Sequence, residues 1–339
     1  MRKKYKIGLL VSVLLIVIVL SGAYYAKTFI TANTMPVNPE DTQRIIVDVA
    51  PGSTPGKIAQ ILENQGIIRN KDVFIIYARI KGSINDFKAG KYSLGPDMNA
   101  DEIIRIIVSG KTASRSFTIP EGYNLKQIAA VLVENEFTSA EEFWDTVQNT
   151  DYEYEFIEKI ENDVNRLEGY LFPDTYNVPI DMHIEAIVDM MLQRFKEVYD
   201  ALPESETGLD IHETVTLASI IEKESVLNAE RPLIASVFLN RLKIGMKLDS
   251  DATIQYLFEE HKERVLYRDL EIDSPYNTYR NKGLPPGPIG SPGKASLLAA
   301  VQPERSEYIY FVAKKDGSGE HVFSKTFQEH INNKNILGY

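Results

Sequence analysis

The run from Ile7 to Ala26 carries no charged residue and is preceded by Arg2, Lys3, Lys4 and Lys6. A helix rising about 1.5 Å per residue over such a run crosses the ~30 Å hydrocarbon core of a bilayer. Residues 1–6 are therefore expected as a cytoplasmic tail and 7–26 as a transmembrane anchor. The remainder is expected outside the cell, because basic flanks stay in the cytoplasm. A cleaved signal peptide would carry a shorter apolar region, roughly 7 to 15 residues, and a small-residue cleavage site, and no clear A-x-A follows this run. No Cys follows it for lipid attachment either. The expectation is a single-pass protein of the cell membrane with an extracytoplasmic body.

The chain has 37 Lys and Arg against 48 Asp and Glu, a formal net charge of −11, and four of those cations lie in the tail. So acidic an exported part argues against nucleic acid or another polyanion as ligand and suits a neutral or amphoteric one. With no Cys at all there is no disulfide framework, thiol nucleophile or cysteine-ligated metal, so stability must come from an ordinary core. At 44% hydrophobic residues over 339, the chain can build two compact domains.

Lys27 to Arg44 is polar, carries Pro36 and Pro39 and lacks periodicity, so residues 27–44 read as a linker. From Ile45 a strand, a Pro-Gly turn with Ser53 and Thr54 placed to cap, and an amphipathic helix through Ile58, Ile61 and Leu62 follow. A helix over Asp72 to Ile80, a strand over Gly90 to Leu94 and a short helix over Asn99 to Ser109 come next. The first pattern then returns as SFTIPEGYNLKQIAAVLVENEF, with Gly122 in the place of Gly52, Ile128 and Ala129 in those of Ile58 and Ala59, and Leu132 in that of Leu62. Two copies do not make a solenoid. The expected fold class is α+β: the transmembrane helix, a small β-α-α-β module over 45–115, and a larger mixed α+β domain over 116–339, with a cleft between module and domain.

One stretch of the larger domain concentrates chemistry. In LASIIEKES, helical spacing places Leu217, Ile220, Ile221 and Glu224 in one narrow sector, so Glu224 sits where a core residue would. Glu222, about 200° around the same helix, points off that stripe towards Ala218 and Ser219. A carboxyl held against Leu and Ile keeps its proton to higher pH, the property of a general acid near neutrality. The plain structural alternative is that Glu224 ends a buried face, snorkelling out or pairing with Arg231 or Arg241.

In EGYLFPDTYNVP the aromatics Tyr170, Phe172 and Tyr176 alternate with Gly169, Pro173 and Asp174, faces that suit a pyranose ring although such aromatics are commonly core. LNRLKIGMKLDSDATIQY offers Asn240, Arg241 and Asp251, and SPYNTYRNKGLPPGPIGSPG, too rich in Pro and Gly for a helix, offers Tyr276, Asn277 and Tyr279. YIYFVAKKDGSGEHVFS reads as a hairpin turning at Asp316 to Gly319. The five His residues form no HExxH pair, and no G-x-S-x-G elbow, Walker loop or dinucleotide loop is present, so neither a metal site nor a cofactor is expected.

The ordered series LEGYLFPDTY, LASIIEKES, ASVFLNRLKIGMKLDSDATIQY, YNTYRNKGLPPGPIGSPG and YFVAKKDGSGEHVFS closely resembles the YceG-like endolytic murein transglycosylase family (MltG), over nearly the whole chain. The order of elements in 45–115 resembles a LysM module, which holds peptidoglycan-like glycans; a spacer above the membrane is the competing reading. The family resemblance implies a peptidoglycan lyase that cuts between N-acetylmuramic acid and N-acetylglucosamine in nascent strands, leaving 1,6-anhydromuramyl ends. It implies catalysis from the EKE segment, carried here onto Glu224, which precedes Ser225 as the acid of other lytic transglycosylases precedes a Ser; Glu222 stays open as the alternative. Asn240, Arg241, Asp251, Tyr276, Asn277, Tyr279 and Tyr170 are expected around the cleft as substrate-binding residues, with Gly169 and the loop Leu284 to Gly287 shaping its walls.

The implied partners are peptidoglycan glycan strands, the membrane and penicillin-binding synthases of the wall machinery, with a part in setting strand length. Two alternatives stay open. One is a muramidase that uses water and a second carboxylate from Asp249, Asp251 or Asp174, at roughly 5 to 9.5 Å. The other is a non-catalytic anchored scaffold that binds glycan.

Overall fold

A computed structural model describes residues 2–158, 165–260 and 262–339. After Thr138 the chain is acidic and patterned for helix in FWDTVQNTDYEYEFIEKI, and the last residues of that stretch lie outside the described residues. The chain divides into two compact units, Met1–Arg115 with Pro179–Asp181, and Ser116–Val178 with Met182–Tyr339.

In the smaller unit α1 spans Arg2–Thr34, and from Leu9 onward it is long and apolar enough to cross a membrane. This corrects the expected linker, since helix persists through Lys27 and on to Thr34. No Gly or Pro interrupts that stretch, and the helix stops where Pro36 disfavours helical geometry in the residue before it. The segment after α1 is tied down by Arg69, which donates to the carbonyls of Pro36 and Val37 at 2.6 and 2.9 Å.

Then follow β1 (Ile45–Val49), α2 (Pro55–Asn64), α3 (Lys71–Ile80), β2 (Gly90–Leu94) and α4 (Ala100–Ser109). The sequence marks each start: Thr54 caps α2 with Pro55 behind it, Asn70 caps α3, and Asn99 with Glu102 forms a capping box on α4. β1 and β2 pair antiparallel with Val47 opposite Tyr92, and the buried Val47, Val49, Tyr92 and Leu94 face Ile58, Leu62, Phe74, Ile103 and Ile107. Each such side chain contributes about 1.5–3 kcal/mol by leaving water.

The chain passes into the larger unit along β3 (Ser114–Thr118), and β3 and α5 (Leu125–Glu134) repeat β1 and α2. The resemblance is physical: Gly52 and Gly122 both turn the chain at φ near +77°, at 76° and 78°, and Ile58, Ala59 and Leu62 are buried as Ile128, Ala129 and Leu132 are. Next come α6 (Ala140–Asn149), α7 (Glu155–Glu158), β4 (Thr175–Pro179), which pairs with β3, and α8 (Ile184–Asp200). The centre is α9 (Ile211–Glu224), opened by an Asp210–Glu213 capping box. Around it lie α10 (Arg231–Lys243), α11 (Asp251–Gln255) and α12 (Lys294–Val301). The antiparallel hairpin β5 (Tyr310–Ala313) and β6 (His321–Ser324) and the helix α13 (Phe327–Leu337) complete the unit.

Every residue of α9 from Thr214 to Ile221 is buried. The stripe that sequence periodicity suggests is therefore only one side of a helix that has no solvent face over this stretch, and Glu222 and Glu224 both leave its last turn towards protein.

Candidate active site

Glu224 is the last residue of α9. Ser225 leaves helical geometry at φ −113° and ψ 120°, and its Oγ donates to the carbonyl of Leu227 at 2.8 Å, so the helix stops where the carboxylate stands. Glu224 is partly buried and opens on a cavity of about 410 Å³, lined by the larger unit alone. Burial pushes its carboxyl pKa up, the neighbouring Asp251 pushes the same way, and a hydrogen bond from Ser250 with the charges of His321 and Arg241 opposes them. The negative end of the α9 dipole adds to the bias towards the protonated form.

Ser250 is 2% exposed and its Oγ donates to Glu224 Oε1. It is held in place by buried hydroxyls: Thr278 Oγ1 accepts from its backbone N–H at 3.1 Å, Thr253 Oγ1 donates to its carbonyl at 2.7 Å, and the two threonine hydroxyls meet at 2.8 Å. Asp249, just before it, lies in the left-handed backbone region at φ 46°, a conformation costly for a residue with a Cβ. Burial raises the Asp249 carboxyl pKa against the pull of Arg241 and Lys247.

Arg241 enters from α10 with its Nε on the carbonyl of Ile309 at 2.7 Å and its Nη1 on that of Leu248 at 2.6 Å, while its guanidinium lies 5.5 Å from the centre of the Tyr310 ring. Its main bonds thus go to backbone, which leaves the carboxylates without a direct salt bridge to it. Tyr279 donates to Asp251 Oδ1 at 2.7 Å, and burial with that acidic neighbour holds its phenol protonated.

Five of the residues singled out from sequence, Glu224, Arg241, Asp249, Asp251 and Tyr279, thus meet in one cavity. The others do not line it. Glu222 is ion-paired with Arg231 at 2.8 Å, both side chains 6% exposed, and accepts from the Gly293 N–H at 2.9 Å. Asn240 donates to the carbonyls of Ser306 and Tyr308, and Asn277, fully buried, donates to those of Leu270 and Ile272. Tyr276 packs on Tyr256 with ring centres 5.0 Å apart.

The sugar platform expected at Tyr170, Phe172 and Tyr176 is instead core: all three are 6% exposed or less. Tyr170 stacks on Phe156 at 5.2 Å and meets His212 Nδ1 at 2.9 Å. Flat aromatic faces satisfy a core as readily as a ligand, and here the core claims them. Gly169 and Leu284 to Gly287 also stand outside the lining, the loop being pinned by a 2.8 Å contact between His212 Nε2 and the Pro286 carbonyl. Asp174 is bound by Arg194 at 2.8 Å and is not part of the cavity, whereas Asp249 and Asp251 are.

Sequence reasoning missed Ser250, Tyr310, Phe311, Phe327 and His330. Ser250 carried a signal, a hydroxyl before an acidic helix start; the aromatic wall from β5 and α13 carried none, since its members touch only in the folded unit. Among the described residues no three His, Asp or Glu side chains are grouped to hold a metal ion.

A helix-terminal acid in a cavity, hydrogen-bonded by a hydroxyl and free of a direct cation, is an arrangement able to give and take a proton. The YceG-like family pattern matches residues 47–336, and the chain belongs to that family. It is 38% identical over 330 residues to the endolytic murein transglycosylase of Bacillus subtilis strain 168, across 92% of this chain and 89% of that one. It is 29% identical to the endolytic murein transglycosylase of Streptococcus pneumoniae D39, across 93% of this chain and 63% of that longer one. The crystal structure of a YceG-like protein from Listeria monocytogenes aligns with a TM-score of 0.56 at 36% identity, covering 86% of this chain and 99% of that one.

Proposed function

We propose that this chain is an endolytic murein transglycosylase, a lyase of peptidoglycan, with Glu224 as its one acid–base group. The observation that carries the residue assignment is the pairing of Glu224 with its cavity: the carboxyl is biased towards its protonated form, touched by the Ser250 hydroxyl, and open to the space where a sugar would sit. Glu222, already committed to Arg231, lacks that freedom.

In the proposed reaction the Glu224 carboxyl gives its proton to the glycosidic oxygen between N-acetylmuramic acid and N-acetylglucosamine, and the bond from that oxygen to muramyl C1 breaks. The muramyl C6 hydroxyl oxygen closes on C1, and its proton passes to the Glu224 carboxylate, which restores the acid. The product is a 1,6-anhydro end, and no water is consumed. Ser250 steadies the carboxylate form that must exist between the two transfers.

The apolar helix α1 fits a membrane anchor with the larger unit on the outer side, where nascent strands emerge beside penicillin-binding synthases and where cutting would set strand length. In this reading the smaller unit is LysM-like and holds glycan or spaces the catalytic unit from the bilayer.

The test is product analysis by mass spectrometry after incubating the full chain, wild type and Glu224→Gln, with uncrosslinked glycan strands. Anhydro ends from the wild type and none from the variant are expected. Reducing ends instead would establish a water-using muramidase, for which Asp249 and Asp251 share the cavity with Glu224. Binding with no cleavage by the wild type would leave the scaffold.

A further inference from the structure

The cavity wall holds a ring that the reaction above does not use. Phe327 lines the space into which Glu224 opens, and it is 62% exposed. A lone apolar side chain on an open surface is ordinary and needs no explanation. This one belongs to the wall of a concave site that also holds three carboxyl groups, Glu224, Asp249 and Asp251. Nor is the ring part of a core, since α13 buries none of its side chains.

The ring is well anchored for an exposed one. Phe327 opens α13 directly after the cap Thr326, whose hydroxyl accepts from the Glu329 N–H at 3.2 Å, while Glu329 Oε2 accepts from the N–H groups of Lys325 and Thr326 at 2.9 and 3.1 Å. Its ring centre lies 5.9 Å from that of Tyr310 with the planes at 55°, so two aromatic surfaces meet at an angle in one wall. Tyr310 already carries the His330 imidazole, stacked at 5.1 Å, and the Arg241 guanidinium at 5.5 Å. Phe327 makes no other ring or cation contact among the described residues, so its aromatic surface is available. A pyranose offers the matching surface, with C–H groups on its face and polar groups on its rim.

We propose that Phe327 is a substrate-contacting residue, an aromatic platform on which the C–H face of one sugar ring of the bound strand lies while the strand is cut at Glu224. This rests on the glycan reading of the cavity and deepens it. The platform that the sequence places at Tyr170 is thereby supplied from the C-terminal helix instead.

The experiment uses the full chain. Binding of uncrosslinked glycan strands is measured in a Glu224→Gln background, and kcat and KM in the otherwise wild-type enzyme. Phe327→Ala is expected to weaken binding about tenfold and to raise KM more than it lowers kcat, with the thermal midpoint unchanged because the ring is exposed. The loss should be the same at low and high salt, since an apolar contact is not screened. Phe327→Tyr should bind as the parent does, whereas Phe327→Leu, apolar but without a flat face, should lose about threefold. Phe327→Trp adds an indole to a chain whose one Trp, Trp144, is not part of the cavity lining, and its emission should shift to the blue on adding glycan where the parent's does not. Parent-like binding and KM in the Ala variant, a Leu variant that binds as tightly as the parent, or a Trp variant whose emission stays put overturns the inference. If the parent chain neither binds nor cleaves glycan, the reading of the cavity fails and this inference with it, an outcome distinct from failure of Phe327 alone.

Discussion

Glu222 and Glu224 stand two residues apart on the last turn of one helix, yet their surroundings have little in common. Around Glu222 the protein closes: Arg231 pairs with it, Gly293 donates its N–H, and Arg231 is in turn held by Asn228 and Ser296. Around Glu224 the protein opens a cavity and supplies one hydroxyl. The first acid stitches α9 to α10 and to the start of α12; the second is left underused, which is the condition for reacting with something else. The same side chain is committed or left available according to what its neighbours leave unsatisfied.

The contrast can be broken most sharply by exchanging both acids for their amides. Glu224→Gln should lower turnover by about 10²- to 10⁴-fold, the usual worth of a general acid, with the fold intact by circular dichroism. Glu222→Gln should act on stability instead. Leaving the Arg231 guanidinium buried without its counter-charge costs about 3–5 kcal/mol, to be read by denaturant unfolding of the membrane-free part or by thermal midpoint of the full chain. Adding Arg231→Met to it should recover part of that loss, and a Glu222 variant that stays stable but loses turnover would reverse the two roles.

The comparison is sharpened by pH. The folded Glu224 carboxyl titrates above its ordinary range, so the native state binds its proton more readily than the unfolded chain does. That contribution to stability is fully present at pH below the ordinary carboxyl range and is lost as pH rises towards the folded value. Glu168 follows the same sign. Burial pushes it up to about 7 against its bonds from the Leu125 N–H and the Tyr256 hydroxyl, so its window runs from about 4.5 to about 7. Thermal midpoints of Glu224→Gln should therefore exceed those of the wild type near neutrality and converge with them near pH 4; a gap that widens on acidification would contradict the sign.

The smallest effect is expected at Ser250. Its hydroxyl favours the Glu224 carboxylate, so Ser250→Ala should move the carboxyl pKa further up and shift the corresponding limb of the rate–pH profile to higher pH, with about a tenfold loss of rate. An unmoved profile would mean that the hydroxyl only packs.

Much of this was legible in the residues. A cap such as Thr54 announces its helix because it satisfies orphan N–H groups locally, and the turn at Asp316 to Gly319 is written in its own glycines. The repeat was legible for the same reason, since Gly52 and Gly122 answer a local backbone demand. The site was legible only in part. Asn240 and Asn277 look like ligand-binding amides in a sequence, and in the fold their donors are spent on carbonyls. Tyr170 looks like a sugar platform and is core. His330 and Tyr310 gave no sign.

By itself, then, the sequence determined the apolar N-terminal helix, the α+β alternation and the presence of an acid at the end of an apolar helix, because each depends on spacing along one element. It could not decide which acid is ion-paired and which is left facing a cavity, since that depends on whether a guanidinium from α10 or a space walled by α11, the hairpin and α13 meets the carboxylate. Those partners are distant in the chain and arrive only through packing, so burial and charge at Glu222 and Glu224 are properties of the tertiary structure.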